Sequence, residues 1–222
     1  RRPMIIRKQG FLNLSSGAVL LWMLVLSMQI QAGVDEDLIR AVENNSTHQV
    51  TNLLNKGANP DARNSRGYTA LMLAARHKKT KLDKLLLSAG ADVNLRNKYG
   101  ETAIMLASYH GQIDVVKQLH KNGADFDHAG WNPLIYAATN GYHEIVTFLL
   151  DSGANINATI DNGATALMMA VRGNHYETVK LLIARGASLQ ISNETGETAI
   201  DWANKGGRSS MVQLLLKNGH TD

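Results

Sequence analysis

Nine residues recur five times along this chain. GYTALMLAA at 67–75 returns as GETAIMLAS from 100, GWNPLIYAA from 130, GATALMMAV from 163 and GETAIDWAN from 196. A second apolar segment follows each copy and ends at a glycine. These glycines are Gly57, Gly90, Gly123, Gly153, Gly186 and Gly219, at intervals of 33, 33, 30, 33 and 33. Such a period is the mark of a solenoid: one unit cannot bury its apolar face alone, and stacking several does.

Each unit reads as two helices and an extended finger. In GETAIMLASYHGQIDVVKQLHKNGADF, Thr102 stands where a hydroxyl caps a first helix carrying Ala103, Ile104, Leu106 and Ala107. Gly111 then turns the chain, at a position filled elsewhere by Asn45, Lys78, Gly141, Asn174 and Gly207. Gly and Asn tolerate the left-handed conformation that such a turn needs, which leaves Lys78 the outlier. Ile113, Val116 and Leu119 keep helical spacing on a second helix, and Gly123 ends it. Met72, Met105 and Met168 occupy equivalent slots and are expected as core filler between first helices. Tyr136 and Trp202 sit one position deeper than the unit surface and are expected to pack inward.

On these residues the chain resembles the ankyrin repeat family. GADVN at 90–94, GANIN at 153–157 and Thr-Ala-Leu at 69–71 and 165–167 match the family pattern, in phase, over residues 35–222. The resemblance implies an all-α ankyrin-repeat solenoid of six stacked helix-turn-helix units with short β-hairpin fingers. The units fall at about 33–63, 64–96, 97–126, 127–159, 160–192 and 193–222. There are departures. Only Pro133 retains the proline that the family places after Thr, and the family histidine is replaced by Met72, Met105, Ile135, Met168 and Asp201. The hydrogen bonds of that histidine are expected to give way to apolar packing. The interval of 30 removes three residues between Gly123 and Gly130, so the finger near 126–130 is expected to be shortened. It is either neutral loop variation or a notch for a partner.

Residues 1–32 carry Arg1, Arg2, Arg7 and Lys8, no acid, and the apolar run GAVLLWMLVLSMQI at 17–30 before Ala32 and Gly33. Positive, apolar and then small residues is the order of a secretory signal peptide cleaved near Ala32/Gly33. The run is shorter than the roughly 20 apolar residues of a spanning helix, the alternative being an uncleaved anchor. The first unit begins directly with VDEDLIRAVENN, where the leader runs out. The domain is therefore expected to occupy 33–222, closed at its end by Arg208, Ser209, Ser210, Gln213, Lys217 and Asn218 as a polar outer face.

Composition narrows the chemistry. The formal charge is +4, but four of the 23 basic residues lie in the leader, leaving 19 against 19 acids. No nucleic acid is expected as partner, because a phosphate binder carries a basic patch in its folded domain. The run Lys78, Lys79, Lys81 and Lys84 is better explained as a solvated helix face. With no Cys there is no disulfide, thiolate zinc site or cysteine nucleophile, which suits an oxidising compartment. No P-loop, dinucleotide fingerprint, nucleophile elbow or zinc-protease motif occurs. Asn44, Asn45, Asn157 and Asn193 match the glycosylation pattern, but turns favour those residues anyway.

The resemblance implies binding of another protein through finger tips and the concave face of the first helices. By position, the finger row is Arg66, Tyr68, Lys98, Tyr99, Glu101, Trp131, Asn162 and Glu197. The helix row is Arg76, His77, Tyr109, His110, Thr139, Asn140, Arg172 and Lys205. The candidate site is Arg66, Tyr68, Arg76, His77, Lys98, Tyr99, Glu101, Tyr109, His110, Trp131, Thr139, Asn140 and Arg172, where Tyr68, Tyr99, Tyr109 and Trp131 concentrate the residue types of interface hot spots. Trp131 beside the shortened finger is either an anchor for the partner or a plug for the gap.

The function expected is that of a non-enzymatic adaptor without cofactor, monomeric and exported to a bacterial periplasm. There it guards or assembles an enzyme such as one of stress defence. The alternatives are a secreted effector that binds host proteins and, in another class, a small hydrolase or metal protein using His77 and His110.

Overall fold

The computed structural model describes residues 16–76 and 80–219. Among them the chain is all helical, in six pairs. The first helices of the pairs are α1 (Ser16–Glu43), α3 (Ala70–Ala75), α5 (Ala103–Tyr109), α7 (Pro133–Thr139), α9 (Ala166–Arg172) and α11 (Ala199–Lys205). The second helices are α2 (Thr47–Asn55), α4 (Thr80–Ser88), α6 (Ile113–Lys121), α8 (His143–Asp151), α10 (Tyr176–Ala184) and α12 (Ser209–Gly219).

Apart from α1, the first helices have only six or seven residues, too few to persist alone. Neighbours hold them. α3, α5, α7, α9 and α11 stack side by side as an inner row, and α2 through α12 as an outer row. Ala74, Ala107, Ala137, Ala138 and Ala170 are fully buried between them. Their lack of side-chain bulk lets the helices approach, and Leu71, Ile104, Leu134 and Leu167 fill the interior. Burying one such leucine stabilises by about 2 kcal/mol.

The punctuation is local. Thr69 Oγ1 accepts from the Met72 amide at 3.1 Å and Asn132 Oδ1 from the Ile135 amide at 3.0 Å, each satisfying a free donor of the helix start. Pro133 follows at the first helical position. The turn between paired helices has Asn45 at φ 53°, Gly111 at φ 70° and Asn174 at φ 60°, as its Gly/Asn pattern requires. Lys78 lies outside the described residues. At the far end of α4, Ala91 N donates to Leu86 O and Gly90 N to Leu87 O, closing the helix around a left-handed Gly90.

Two expectations change. The fingers are tight turns and not hairpins. Only the isolated bridge pairs Arg63–Thr69 and Thr159–Thr165 have β character among the described residues. In four fingers a residue donates to the carbonyl four places on, as Asn97 N does to Glu101 O, and the glycine between returns a bond. Such a tip closes with one bond pair, and in the first finger only one further bond, Ala70 N to Ala62 O at 3.0 Å, continues it. Likewise, apolar packing is not all that replaces the family histidine. Met105 Sδ accepts from Thr102 N at 3.2 Å, Met72 Sδ from Thr69 N at 3.4 Å, and Asp201 Oδ2 from Thr198 N at 2.8 Å. The methionines are core residues all the same, each at most 2% exposed.

α1 runs unbroken through Ala32 and Gly33, so the expected cleavage point lies inside a helix. From Leu20 to Ile30 its apolar side chains stand free of the rest of the protein, Trp22 at 64% exposure. By length and composition it is a helix able to cross a membrane. Gln31 Nε2 donates both to Asp35 Oδ1 (2.9 Å) and to Gly57 O (3.2 Å), joining this segment to the first finger. The four basic residues of the leader lie outside the described residues.

Candidate functional site

The finger ends and the first helices share one face. Each finger ends one residue before a helix cap, at Tyr68, Glu101, Trp131, Ala164 and Glu197. One turn into the following helix stand Leu73, Leu106, Tyr136, Met169 and Trp202, and each helix ends near Arg76, Tyr109, Thr139, Arg172 and Lys205. The repeat puts these three rows side by side.

Glu101 joins three units at that face. Its Oε2 accepts from Asn97 Nδ2 at 2.7 Å and from the Tyr68 hydroxyl at 3.3 Å; its Oε1 accepts from the Tyr136 hydroxyl at 3.2 Å. Burial, then the charge of Glu101 and its hydrogen bond, hold both phenols above the usual tyrosine range. Tyr136 is the hub of the aromatic group. Its ring lies 4.8 Å from Trp131 at 32° and 5.7 Å from Tyr109, edge to face. The Tyr68 and Tyr99 rings are 6.4 Å apart. Such pairs favour ordered, rigid rings. Tyr99 is 71% and Tyr109 44% exposed, which leaves their faces open to a partner.

Arg66 and Arg76 each place a guanidinium within 6 Å of the Tyr68 ring, at 5.8 and 5.9 Å. Arg172 stands 5.9 Å from the Trp202 ring, and Trp202 Nε1 donates to Glu197 Oε2 at 2.9 Å. Lys205 pairs with the other oxygen of Glu197. Other members of the expected rows spend their polar groups within the protein. Lys98 Nζ donates to Ser65 O at 2.8 Å, a strut between fingers. Thr139 Oγ1 donates to Ile135 O and Asn140 Nδ2 to Tyr136 O, so both side chains bond their own helix. Asn162 Oδ1 accepts from Ala164 N within its finger. His110 lies edge-on to Tyr109 at 5.0 Å. His77 lies outside the described residues. Among the described residues no three His, Asp or Glu gather where they could hold a metal ion.

The structure thus brings Arg66, Tyr68, Arg76, Tyr99, Glu101, Tyr109 and Trp131 into one patch and adds Tyr136, expected only to pack; Trp202, expected likewise, stands two units on beside Arg172 and Glu197. Tyr136 and Trp202 occupy the same repeat position, where the other units carry Leu73, Leu106 and Met169. An aromatic side chain with a polar tip in a column of aliphatic ones was the available signal.

The shortened finger has lost its tip. Asp125, Phe126 and Asp127 keep the local bond of the other fingers, Asp127 N to Asp125 Oδ1 at 3.1 Å. No backbone bond closes the turn that follows. A ladder between units is interrupted there too. Asp61 accepts from Asp92 N, Asn94 from Asp125 N and Asn157 from Ser188 N, at 2.8, 2.8 and 2.9 Å. The next member in phase, Asp127, makes no such bond to Asn155. Trp131, half-buried against Tyr136, borders this gap. His128 within it has two buried, unbonded ring nitrogens, and its pKa is lowered by burial and then by Arg96.

The family description "Ankyrin repeats (3 copies)" matches residues 38–129, 81–160 and 153–222. Among solved structures, similarity is found to a chain of the complex between the predatory endopeptidase Bd0816 from Bdellovibrio bacteriovorus and immunity protein Bd3460. The identity is 30%, the TM-score 0.73, and the match covers 82% of this chain and 97% of that one. The ankyrin repeat domain of Bcl-3, a member of the IkappaB protein family, is 32% identical with a TM-score of 0.70, over 81% of each chain. Among curated proteins, none matches in sequence.

Proposed function

Because the chain belongs to the ankyrin repeat family, a family of protein–protein interaction modules, we propose that it holds a second protein against the face of its fingers and first helices. The observation that carries this is the two ring groups, Tyr68 with Tyr99 and Tyr136 with Tyr109 and Trp131, tied together by Glu101 and exposed at Tyr99 and Tyr109. Rigid aromatics with exposed faces, flanked by arginines, have the composition of an interface centre.

The partner proposed is a periplasmic enzyme that the chain guards or assembles, such as one of stress defence, with catalysis left to the partner. Two things support it. The leader has the residue order of an export signal. The chain is also similar to a chain from a complex of an endopeptidase with an immunity protein. In this proposal residues 1–32 direct export and are removed near Ala32/Gly33, and the released domain is a monomer. A second proposal keeps the leader as an anchor. It is favoured by the unbroken α1 and by the bonds of Gln31 to Asp35 and Gly57.

The test is affinity capture from the periplasmic fraction with the wild type and with Tyr109→Ala/Trp131→Ala. One enzyme held by the wild type and lost from the double variant is the expected result. Capture that survives both substitutions places the binding elsewhere. N-terminal sequencing of the recovered protein decides the leader: a start at Gly33 supports removal, and residues 1–32 retained in the membrane fraction support the anchor.

A further inference from the structure

Eight arginines lie among the described residues, and three of them stand apart. Arg40 and Arg185 pair with carboxylates. Arg63, Arg96 and Arg208 donate to backbone carbonyls. Among the described residues the guanidinium groups of Arg66, Arg76 and Arg172 have neither kind of partner. All three are exposed, and all three rest on an aromatic ring of the face just described.

A ring beneath a guanidinium orients the plane and leaves its N–H edges pointing to solvent. The carboxylates nearby do not compete for them. Both oxygens of Glu101 are taken by Tyr68, Asn97 and Tyr136, and Glu197 is taken by Trp202 and Lys205. The two glutamates that end these fingers are engaged, and three oriented forks remain. A carboxylate matches such a fork with two parallel, charge-assisted bonds.

We propose that the partner presents an acidic segment of protein to this face, with carboxylates at both ends and an apolar or aromatic residue between them. One end seats on Arg66 and Arg76, the other on Arg172, and the middle lies over Trp131, Tyr136 and Tyr109. Arg76 and Arg172 end helices three units apart. At 8–10 Å per packed helix this spacing is about 25–30 Å, which about nine extended residues span. Nucleic acid fits less well. Between the two ends Lys98 and Arg96 are held by backbone carbonyls, so no continuous basic track runs along the face for a phosphate backbone.

This proposal rests on the binding face assigned above and specifies the chemistry of its partner. The test uses the full chain and three fluorophore-labelled peptides of about ten residues, each with Leu-Trp-Leu at its centre. One ends in Glu-Glu on both sides, one in Ser-Ser, one in Lys-Lys. By fluorescence anisotropy the Glu peptide is expected to bind about tenfold more tightly than the Ser peptide, and the Lys peptide most weakly. Arg66→Gln/Arg76→Gln and Arg172→Gln are each expected to remove most of that preference and flatten its salt dependence, with circular dichroism unchanged because the arginines are exposed. Equal binding of Glu and Ser peptides, both weakened by Trp131→Ala, overturns the acidic partner and leaves the binding face standing. Failure of all three peptides, with enzyme capture intact, does the same. Displacement of the Glu peptide by an oligothymidylate of equal charge and at equal affinity assigns the arginines to phosphate instead.

Discussion

The Tyr136 hydroxyl donates to Glu101 Oε1 over 3.2 Å, so a residue of α7 secures the carboxylate that ends the preceding finger. Glu101→Ala strands three donors at once and is expected to lower stability by about 1–3 kcal/mol, against about 1 kcal/mol for Tyr136→Phe. Urea denaturation of both variants and of the double variant checks this. The effects are expected to be non-additive, and simple additivity means that the two residues do not act together. Glu101→Gln is also expected to move the late-titrating phenols down in an absorbance titration. It moves them only part of the way, because burial is the larger cause.

Asp83 of α4 stands in the slot that Val50, Val116, Val146 and Val179 fill in other units, all 0% exposed as it is. Neither carboxylate oxygen has a hydrogen-bond partner among the described residues. Burial pushes this carboxyl from 3.8 up to about 7. A folded pKa above the unfolded one means that the stability is whole below about pH 4 and is lost as pH rises through about 7. The loss is about 4 kcal/mol once the group ionises. Denaturation at pH 5 and pH 8 is expected to show the wild type weaker at pH 8, and Asp83→Val is expected to remove that difference. An equal pH response in the two proteins rejects the argument.

The inter-unit ladder gives an internal control. Asn94 accepts from Asp125 N and donates from Nδ2 to Gly123 O at 3.1 Å, so Asn94→Ala is expected to cost about 1–2 kcal/mol. Asp127→Ala, one period on, removes no such bond and is expected to stay within about 0.5 kcal/mol. Thermal denaturation compares them. Equal losses at the two positions show that the ladder continues through the shortened finger.

Trp131 lies on Tyr136 beside the missing tip, half covered and half open. As an anchor, its replacement by Ala is expected to weaken partner binding by more than about 1 kcal/mol. Titration calorimetry with the captured enzyme measures this, and a melting curve of the free protein measures the other role. A lower melting point with unchanged affinity makes Trp131 a plug and no more.

The period, the helix pairs, the caps and the turns were legible in the residues because each is a short-range matter. A Thr and the amide three places on, an Asn or Gly where φ is positive, and apolar residues at helical spacing all act within one unit. The repeat then copies that solution to the neighbours. Asp83 was legible in part: its column is otherwise valine, but the surrounding lysines read as a solvated face and hid it. What only the tertiary structure decided is which polar tips meet across units. Tyr136 reaches Glu101 35 residues away, and Arg208 reaches the Arg172 carbonyl over 36. Those meetings depend on the stagger between stacked helices and on where long side chains point. The spacing of residues along the chain carries no record of either. The aromatic centre, its spent carboxylates and its three open arginines therefore emerged only once the units were packed together.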